Sequence, residues 1–305
     1  MMKRDLAVEL GDLSLKNPIM TASGTFGYGA EFKDFVDLDT LGGIVVKGVS
    51  LRPKPGNPPP RVVETSCGML NAIGLENGGV DSFIEEKIPF LEKLNCAVVV
   101  NILGDTIEEY CRLAEKLSMQ EAVDAIEVNI SCPNVKHGGV AFGTDAKMVH
   151  AVTKHVCQYS SKPVFIKLSP NVTDIVSMAI AAEEGGASAV SLINTLLGMA
   201  IDVKTRKPKL ANVVGGLSGP AIKPVAVRMV WQVAKQVKIP VIGIGGIATV
   251  EDVIEFLLAG ATAVQIGTAN LVNPSISGRL VDGLEKYLTE NEIVSVREIV
   301  KGIVV

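Results

Sequence analysis

Aromatic residues and surplus positive charge are both scarce in this chain. Phe, Trp and Tyr make up only 4% of the 305 residues, although 48% of the residues are hydrophobic. Val, Ile, Ala and Gly therefore supply most of the apolar content, which is typical of parallel strands buried on both faces. The formal net charge is −4, and this argues against nucleic acid as a main partner.

The sequence also lacks clustered cysteines and a long apolar run, and its first residues do not predict a leader peptide. Its five cysteines lie far apart with no CxxC pair, so we expect neither a metal site nor an iron–sulfur cluster held by this chain alone. Asp5 and Glu9 stand where a signal peptide needs apolar residues. No window of about 18 uninterrupted apolar residues predicts a membrane span. We therefore expect a soluble cytoplasmic protein that does not associate with membranes.

Eight short apolar runs are predicted to be parallel strands. They begin near Ile19, Ile44, Ala97, Ala125, Val164, Ala189, Pro240 and Ala263. Helical stretches separate most of them, and the clearest runs from Thr173 to Glu184, with Asn171 or Thr173 as its N-cap. A second helix is predicted to begin at Thr249 with a capping box. This alternation favours an α/β fold, a (β/α)8 TIM barrel, over a doubly wound sheet. We expect residues 1–305 to form a single domain.

Three of the intervals between strands are long enough to carry insertions, after the second, fourth and sixth strands. In a barrel all three can rise from the C-terminal face, where such enzymes keep their active sites. The first insertion is rich in proline and is predicted to contribute to a lid, and the third predicts a β-hairpin with a basic turn. Ahead of the barrel, a hairpin that turns at Gly11 and Asp12 is predicted to cover the N-terminal end.

Polar side chains are predicted to point inward at the ends of four successive strands. Side chains alternate along a strand, and the apolar column must face the helices. Lys47, Asn101, Asn129 and Lys167 are then left on the inner face, where unpaired polar groups are costly. One interpretation is a buried polar network in which Glu127 neutralises one lysine. The other is a site for a planar, electron-rich ligand that needs donors and cations along its edge.

Glycine-rich turns follow the seventh and eighth strands. The first contains Gly245 and Gly246, and the second contains Gly267 and Thr268. Backbone N–H groups in such turns can close around a phosphate, and these two loops are the usual phosphate site of a (β/α)8 barrel. The sequence therefore predicts that the ligand carries a phosphate.

One cysteine lies in a setting that is not typical of a core. Cys132 follows the fourth strand in a loop, between Ser131 and Pro133. A thiolate at this position can act as a base or a nucleophile. The other four cysteines are interpreted as structural.

Several motifs together resemble those of one enzyme family. They are ASGTFGYGAEF (22–32), VKG (46–48), NAIGLEN (71–77), NISCPNVKHGG (129–139), INT (193–195), GIGG (243–246) and IGTA (266–269). Over essentially its whole length the sequence resembles the catalytic subunits of class 1B dihydroorotate dehydrogenases. The cysteine at 132 and the absence of an N-terminal extension differ from the class 2 pattern. The forms FGYGAEF and CPNVKHGG favour class 1B over class 1A.

The resemblance implies oxidation of dihydroorotate to orotate in pyrimidine biosynthesis, with FMN as cofactor and Cys132, Lys47 and Lys167 as catalytic residues. The implied flavin-binding residues are Ser23, Lys47, Gly48, Asn101, Asn129, Lys167 and Ile193. Its phosphate is assigned by the same resemblance to Gly219, Gly245, Gly246, Gly267 and Thr268. The implied substrate-binding residues are Lys47, Asn71, Ala72, Ile73, Gly74, Leu75, Asn129, Asn194 and Thr195.

The resemblance also implies a partner subunit that carries FAD and a [2Fe–2S] cluster and passes electrons to NAD, in a heterotetramer built on a homodimer of this chain. Residues 243–248 match a loose dinucleotide fingerprint, but the next strand ends without the acidic residue that binds the ribose. Three alternatives stay open at this point. They are another FMN barrel oxidoreductase acting on a related dihydropyrimidine or on dihydrouridine, a non-redox barrel using Lys167 as a Schiff-base nucleophile, and a non-catalytic binding barrel.

Overall fold

A computed structural model describes residues 4–131 and 142–304. Its strands are β1 (Val8–Leu10), β2 (Leu13–Leu15), β3 (Ile19–Thr21), β4 (Gly43–Ser50), β5 (Val62–Thr65), β6 (Gly68–Asn71), β7 (Ala97–Leu103), β8 (Ala125–Asn129), β9 (Val164–Lys167), β10 (Ala189–Leu192), β11 (Leu196–Met199), β12 (Ile201–Asp202), β13 (Lys207–Pro208), β14 (Val214–Ser218), β15 (Val241–Ile244) and β16 (Ala263–Ile266). Its α-helices are α1 (Gly79–Glu86), α2 (Ile88–Leu91), α3 (Ile107–Ser118), α4 (Ala146–Tyr159), α5 (Ile175–Glu184), α6 (Lys223–Ala234), α7 (Val250–Ala259), α8 (Ala269–Val272) and α9 (Ile276–Glu290).

The central sheet is a closed barrel. Its parallel strands follow one another around the barrel in the order β3, β4, β7, β8, β9, β10, β15 and β16, and β16 pairs with β3 to close it. These are the eight predicted strands, and α-helices connect successive strands except β3 and β4, which are joined by a loop with a single 3-10 turn. The predicted (β/α)8 barrel is therefore confirmed. The doubly wound alternative is excluded because that sheet would have two free edges.

Helix caps agree with the sequence at one helix and differ at another. The capping box at α7 is present, because Thr249 Oγ1 accepts from Asp252 N and the Asp252 carboxylate accepts from Thr249 N. The predicted N-cap of α5 was wrong. Asp174 caps this helix, and its Oδ1 accepts from Val176 N at 2.9 Å. Asn171 is engaged elsewhere, since its Nδ2 donates to the carbonyl oxygen of Thr195 at 3.0 Å.

The first and third insertions form one antiparallel sheet. The order of its strands is β11, β14, β6 and β5, and β6 pairs with β14 so that Asn71 lies opposite Gly216. The predicted basic hairpin is also present, as β12 paired with β13. Since these strands come from loops that follow β4 and β10, the sheet lies on the C-terminal side of the barrel. The predicted contribution of the first insertion to a lid stays a prediction.

The N-terminal hairpin packs against the opposite end of the barrel. β1 and β2 pair antiparallel and bury Val8, Leu10 and Leu15. Gly11 has a φ of +64°, and a Cβ at this position would lie 2.9 Å from Cβ of Ser188, which directly precedes β10. The turn therefore contacts the N-terminal end of a barrel strand, as the sequence predicted.

Candidate active site

Two of the four predicted inward-pointing side chains meet inside the barrel. Asn101 lies on the inner face of β7, and its Nδ2 donates to Glu127 Oε1 at 2.8 Å. Lys167, the last residue of β9, has its Nζ 3.3 Å from the same oxygen. The side chains of Lys167 and Glu127 are 6% and 0% exposed. A buried ion pair of this kind stays ionised only when further hydrogen bonds satisfy both partners.

Further donors complete the environment of Glu127. Its Oε2 accepts from Ser191 Oγ at 2.8 Å and from Gln265 Nε2 at 2.7 Å. Burial alone raises the pKa of Glu127. The Lys167 charge and the hydrogen bonds from Gln265, Ser191 and Asn101 lower it by more, so the pKa of Glu127 lies below its usual range. Neither Ser191 nor Gln265 was among the predicted site residues. A polar residue in the middle of an apolar strand, as in AVQIG, is the signal that identifies Gln265.

The same cluster leaves two polar atoms without a partner in residues 4–131 and 142–304. Asn101 Oδ1 and Gln265 Oε1 are buried and accept no hydrogen bond there. A Cβ on Gly48 would lie 3.0 Å from Asn101 Oδ1, so the glycine leaves the space beside this acceptor open. Because a buried acceptor without a partner is costly, these atoms fit a site that a ligand with N–H groups completes.

The predicted substrate-binding asparagines also come together. Asn129 Oδ1 accepts from Asn194 Nδ2 at 3.3 Å, which joins the ends of β8 and β10. The hydroxyl of Tyr110, which is buried on α3, donates to the carbonyl oxygen of Asn129 at 2.7 Å. Tyr110 therefore fixes the backbone where β8 leads into the NISCPN loop. Tyr110 was not among the predicted site residues.

The NAIGL segment reaches the same place through the antiparallel sheet. Asn71 Nδ2 lies 3.5 Å from the carbonyl oxygen of Gly216. A side chain on Gly216 would collide with the hydroxyl of Thr195, so Thr195 packs directly over this glycine.

Asn57 holds the next residues of the segment. Its Nδ2 donates to the carbonyl oxygen of Ala72, and its backbone N donates to the carbonyl oxygen of Ile73. The remaining predicted members, Gly74 and Leu75, have φ values of +78° and +61° and continue this loop.

The predicted phosphate-binding glycines form a cradle. A Cβ on Gly246 (φ +75°) would lie 2.8 Å from the carbonyl oxygen of Gly219, so these two turns are in contact. Thr268 Oγ1 donates to Ser218 Oγ at 2.8 Å, so the turn after β16 contacts the end of β14. Gly245 (φ +134°) precedes Gly246 and is buried. A Cβ on Gly245 would lie 2.8 Å from Cβ of Ala226, so the close packing excludes a side chain there. Glycine at these turns leaves backbone N–H groups available to a phosphate.

The other predicted cofactor residues border these groups. Ser23 follows Ala22, whose N–H donates to the carbonyl oxygen of Ile266 at 2.8 Å, so its segment runs beside Gly267. Ile193 is buried at the end of β10. Lys47 is partly exposed where the pairing of β4 with β7 becomes irregular. It lines a cavity of about 480 Å³ together with Tyr28, Pro53, Lys54, Pro55, Glu76, Asn77 and Gly78.

Cys132, the predicted base, lies outside the described residues. Two other cysteines are unsuited to that role, since burial raises the pKa of Cys96 to about 12 and that of Cys157 to about 11. Both thiols are therefore protonated near neutral pH. The described residues contain no group of three His, Cys, Asp or Glu that could hold a metal ion. No helix within the described ranges has the length and apolarity needed to cross a bilayer.

The closed parallel barrel, with lysine and amide groups at one end and glycine turns after its last two strands, defines a (β/α)8-barrel protein with a candidate site at the C-terminal face. The family model for dihydroorotate dehydrogenase matches residues 5–288. The chain belongs to this family.

Relatives with high sequence identity support the same family assignment. The chain is 60% identical over 300 residues to the dihydroorotate dehydrogenase B (NAD(+)), catalytic subunit, of Geobacter sulfurreducens, with 98% of each chain covered. It is 56% identical over 296 residues to the protein of the same name from Thermoanaerobacter sp., covering 97% of this chain and 98% of the relative. In fold it is similar to the crystal structure of DHODH in complex with ferulenol from Eimeria tenella, with a TM-score of 0.79 at 22% identity over 98% of this chain and 89% of that one.

Proposed function

We propose that this chain is the catalytic subunit of an NAD-linked dihydroorotate dehydrogenase and oxidises dihydroorotate to orotate in pyrimidine biosynthesis. FMN, bound non-covalently, supplies the acceptor for the hydride that leaves C6 of the substrate. We further propose that residues 1–305 form one barrel domain. The scattered cysteines support a reducing compartment, and we assign the protein to the cytoplasm.

The cofactor assignment is carried by the buried acceptor of Asn101, which has no partner among residues 4–131 and 142–304, and by Lys167, which contacts the same carboxylate. The isoalloxazine ring of FMN presents N–H and carbonyl groups along one edge, and this pair of side chains offers it an acceptor and a donor. The glycine cradle of Gly219, Gly245, Gly246 and Gly267, with Thr268, would hold the phosphate. Lys167 would stabilise negative charge that develops on the ring during reduction.

For the substrate, we propose that the contacting amides of Asn129 and Asn194 bind the pyrimidine ring. Asn71 and Thr195 flank Gly216 and belong to the same group, together with the backbone of residues 72–75 and Lys47. An amide both donates and accepts, so several of them can orient a ring of alternating donors and acceptors without adding charge. Cys132 would remove the proton from C5 as a general base.

Electrons must then leave the reduced protein. We propose a partner subunit that carries FAD and a [2Fe–2S] cluster and delivers electrons to NAD, in a heterotetramer built on a homodimer. Two observations support the need for a partner. The turn at Gly245 and Gly246 is assigned to the FMN phosphate, and β16 ends at Ile266 and is followed by Gly267 and Thr268, without the acidic residue that an NAD site needs.

The cofactor assignment is tested by the visible spectrum of the purified chain. We expect a yellow protein that releases FMN on denaturation and is bleached by dihydroorotate without oxygen. A colourless protein that does not reconstitute with FMN would refute the assignment.

The partner is tested by steady-state assay of the isolated chain. We expect dihydroorotate to reduce an artificial dye, with almost no NADH formed until the partner subunit is added. Rapid NAD reduction by the isolated chain would contradict the proposed partner.

A further inference from the structure

Glu127 is a buried titratable group to which the proposed reaction gives no task. Its four neighbours are Asn101 Nδ2, Lys167 Nζ, Ser191 Oγ and Gln265 Nε2, at 2.8, 3.3, 2.8 and 2.7 Å. An ionised carboxylate offers about four lone-pair sites and no donor. The four neighbours therefore saturate it, and it has no capacity left to contact a ligand.

Saturation of Glu127 determines how the two amides are turned. Because the carboxylate can only accept, Asn101 and Gln265 must each direct an N–H group toward it. Their oxygens, Asn101 Oδ1 and Gln265 Oε1, must then point away from Glu127. Both oxygens are buried, and neither receives a hydrogen bond from the part of the chain that the structure describes. At Asn101 the neighbouring Gly48 leaves the acceptor uncovered.

We propose that Glu127 is a positioning residue that sets the hydrogen-bonding polarity of the flavin site. It holds the Asn101 amide as an acceptor and keeps Lys167 beside it as a charged donor. The inference rests on the proposed FMN function. Oxidised isoalloxazine carries one ring N–H, at N3, between two carbonyl groups, and an acceptor next to a cationic donor is complementary to that edge. Glu127 thus acts through Asn101 and Lys167 and does not touch the cofactor.

A role in polarity differs measurably from a role in folding alone. If Glu127 only stabilised the barrel, its replacement would lower the affinity of the protein for every flavin to the same degree. If it determines which atom Asn101 presents, its replacement must change the preference between flavins that differ only at N3. FMN and N3-methyl-FMN form such a pair, because the methyl group removes the N–H and leaves the carbonyl groups and the phosphate.

The experiment measures the Kd of both flavins for the full apoprotein by fluorescence quenching. The wild type should bind FMN at least ~10-fold more tightly than N3-methyl-FMN, which is the worth of one hydrogen bond to a buried acceptor. Glu127→Gln offers Asn101 both an acceptor and a donor. The Asn101 amide can then rotate by about 180° and present its NH2 group, instead of Oδ1, to the flavin. The preference for FMN should fall by about tenfold. Glu285→Gln, which changes an exposed carboxylate on α9, should keep the wild-type preference.

The outcomes separate this inference from the proposed function. A wild type that binds neither flavin would refute the proposed function. A wild type that binds FMN, with a Glu127→Gln variant of unchanged preference, would overturn the role of Glu127 alone. Should the single variant not fold, Glu127→Gln/Lys167→Met removes the buried anion and cation together and avoids an unpaired buried charge. The same loss of preference is expected there, and its retention would likewise overturn the proposal.

Discussion

Replacement of Gly246 by alanine tests the phosphate cradle most directly. The residue has a φ of +75°, so an L side chain costs about 1–2 kcal/mol in backbone conformation alone. The added Cβ would also lie 2.8 Å from the carbonyl oxygen of Gly219 and 3.0 Å from the backbone nitrogen of Lys223. Backbone atoms cannot rotate away as a side chain does, so the loop must move at a further cost of about 1–3 kcal/mol.

Gly186→Ala is the matched control. Gly186 has a φ of +97°, but a Cβ there would meet only Cβ and Sγ of Cys157, both at 3.9 Å. It therefore carries the conformational cost without the collision, at a site just after α5. The free energy of unfolding, measured on both apoproteins in urea, should differ between the two variants by about 1–3 kcal/mol, with Gly246→Ala the less stable.

The affinity for FMN, measured on the Gly246→Ala and Gly186→Ala variants, tests the role of Gly246 in phosphate binding. If movement of the loop costs one charge-assisted hydrogen bond to the phosphate, about 1.5–3 kcal/mol is lost, and the Kd rises by roughly ten- to hundredfold. Gly186→Ala should bind FMN as the wild type does. Equal FMN affinities in the two variants would refute the assignment of Gly246 to the phosphate site.

Two further predictions concern Cys132 as the general base and the stability of the protein at acidic pH. Cys132→Ser should slow flavin reduction by dihydroorotate at least ~10²-fold in stopped flow while FMN stays bound, and Cys157→Ser should reduce the flavin at nearly the normal rate. A Cys132→Ser variant whose flavin is reduced at the wild-type rate would show that this thiol is not the base. Burial raises the pKa of Asp252, but Lys223 and the N–H groups of Ala248 and Thr249 lower it further, so the net pKa is lowered. Its stabilising contribution is therefore complete above the unfolded pKa of about 3.9 and is lost as the pH falls through the lowered native pKa. In urea titrations from pH 7 to pH 3, the stability gap between wild type and Asp252→Asn should shrink at the acid end, and a constant gap would contradict this account.

The amino-acid sequence by itself determined the barrel strands and which residues are proposed for the site. Each strand is a short apolar run bounded by glycine, proline or polar residues, so its position depends on local pattern alone. Parity along a strand placed Asn101 and Lys167 inside, because neighbouring parallel strands share one inner face. The glycines after β15 and β16 were likewise readable, since their place in the chain fixes their place at the barrel mouth.

Tertiary structure alone decided which distant groups meet. Gln265 and Glu127 are 138 residues apart, and Asn71 and Gly216 are 145 apart. The first contact exists because the barrel closes on itself, and the second because two insertions pair as strands of one sheet. The N-cap of α5 also depended on context, because the candidate Asn171 is engaged with the loop that carries Thr195 and leaves Asp174 as the cap. Local patterns specify each segment, but hydrogen bonds between segments depend on register and closure, which no single segment contains.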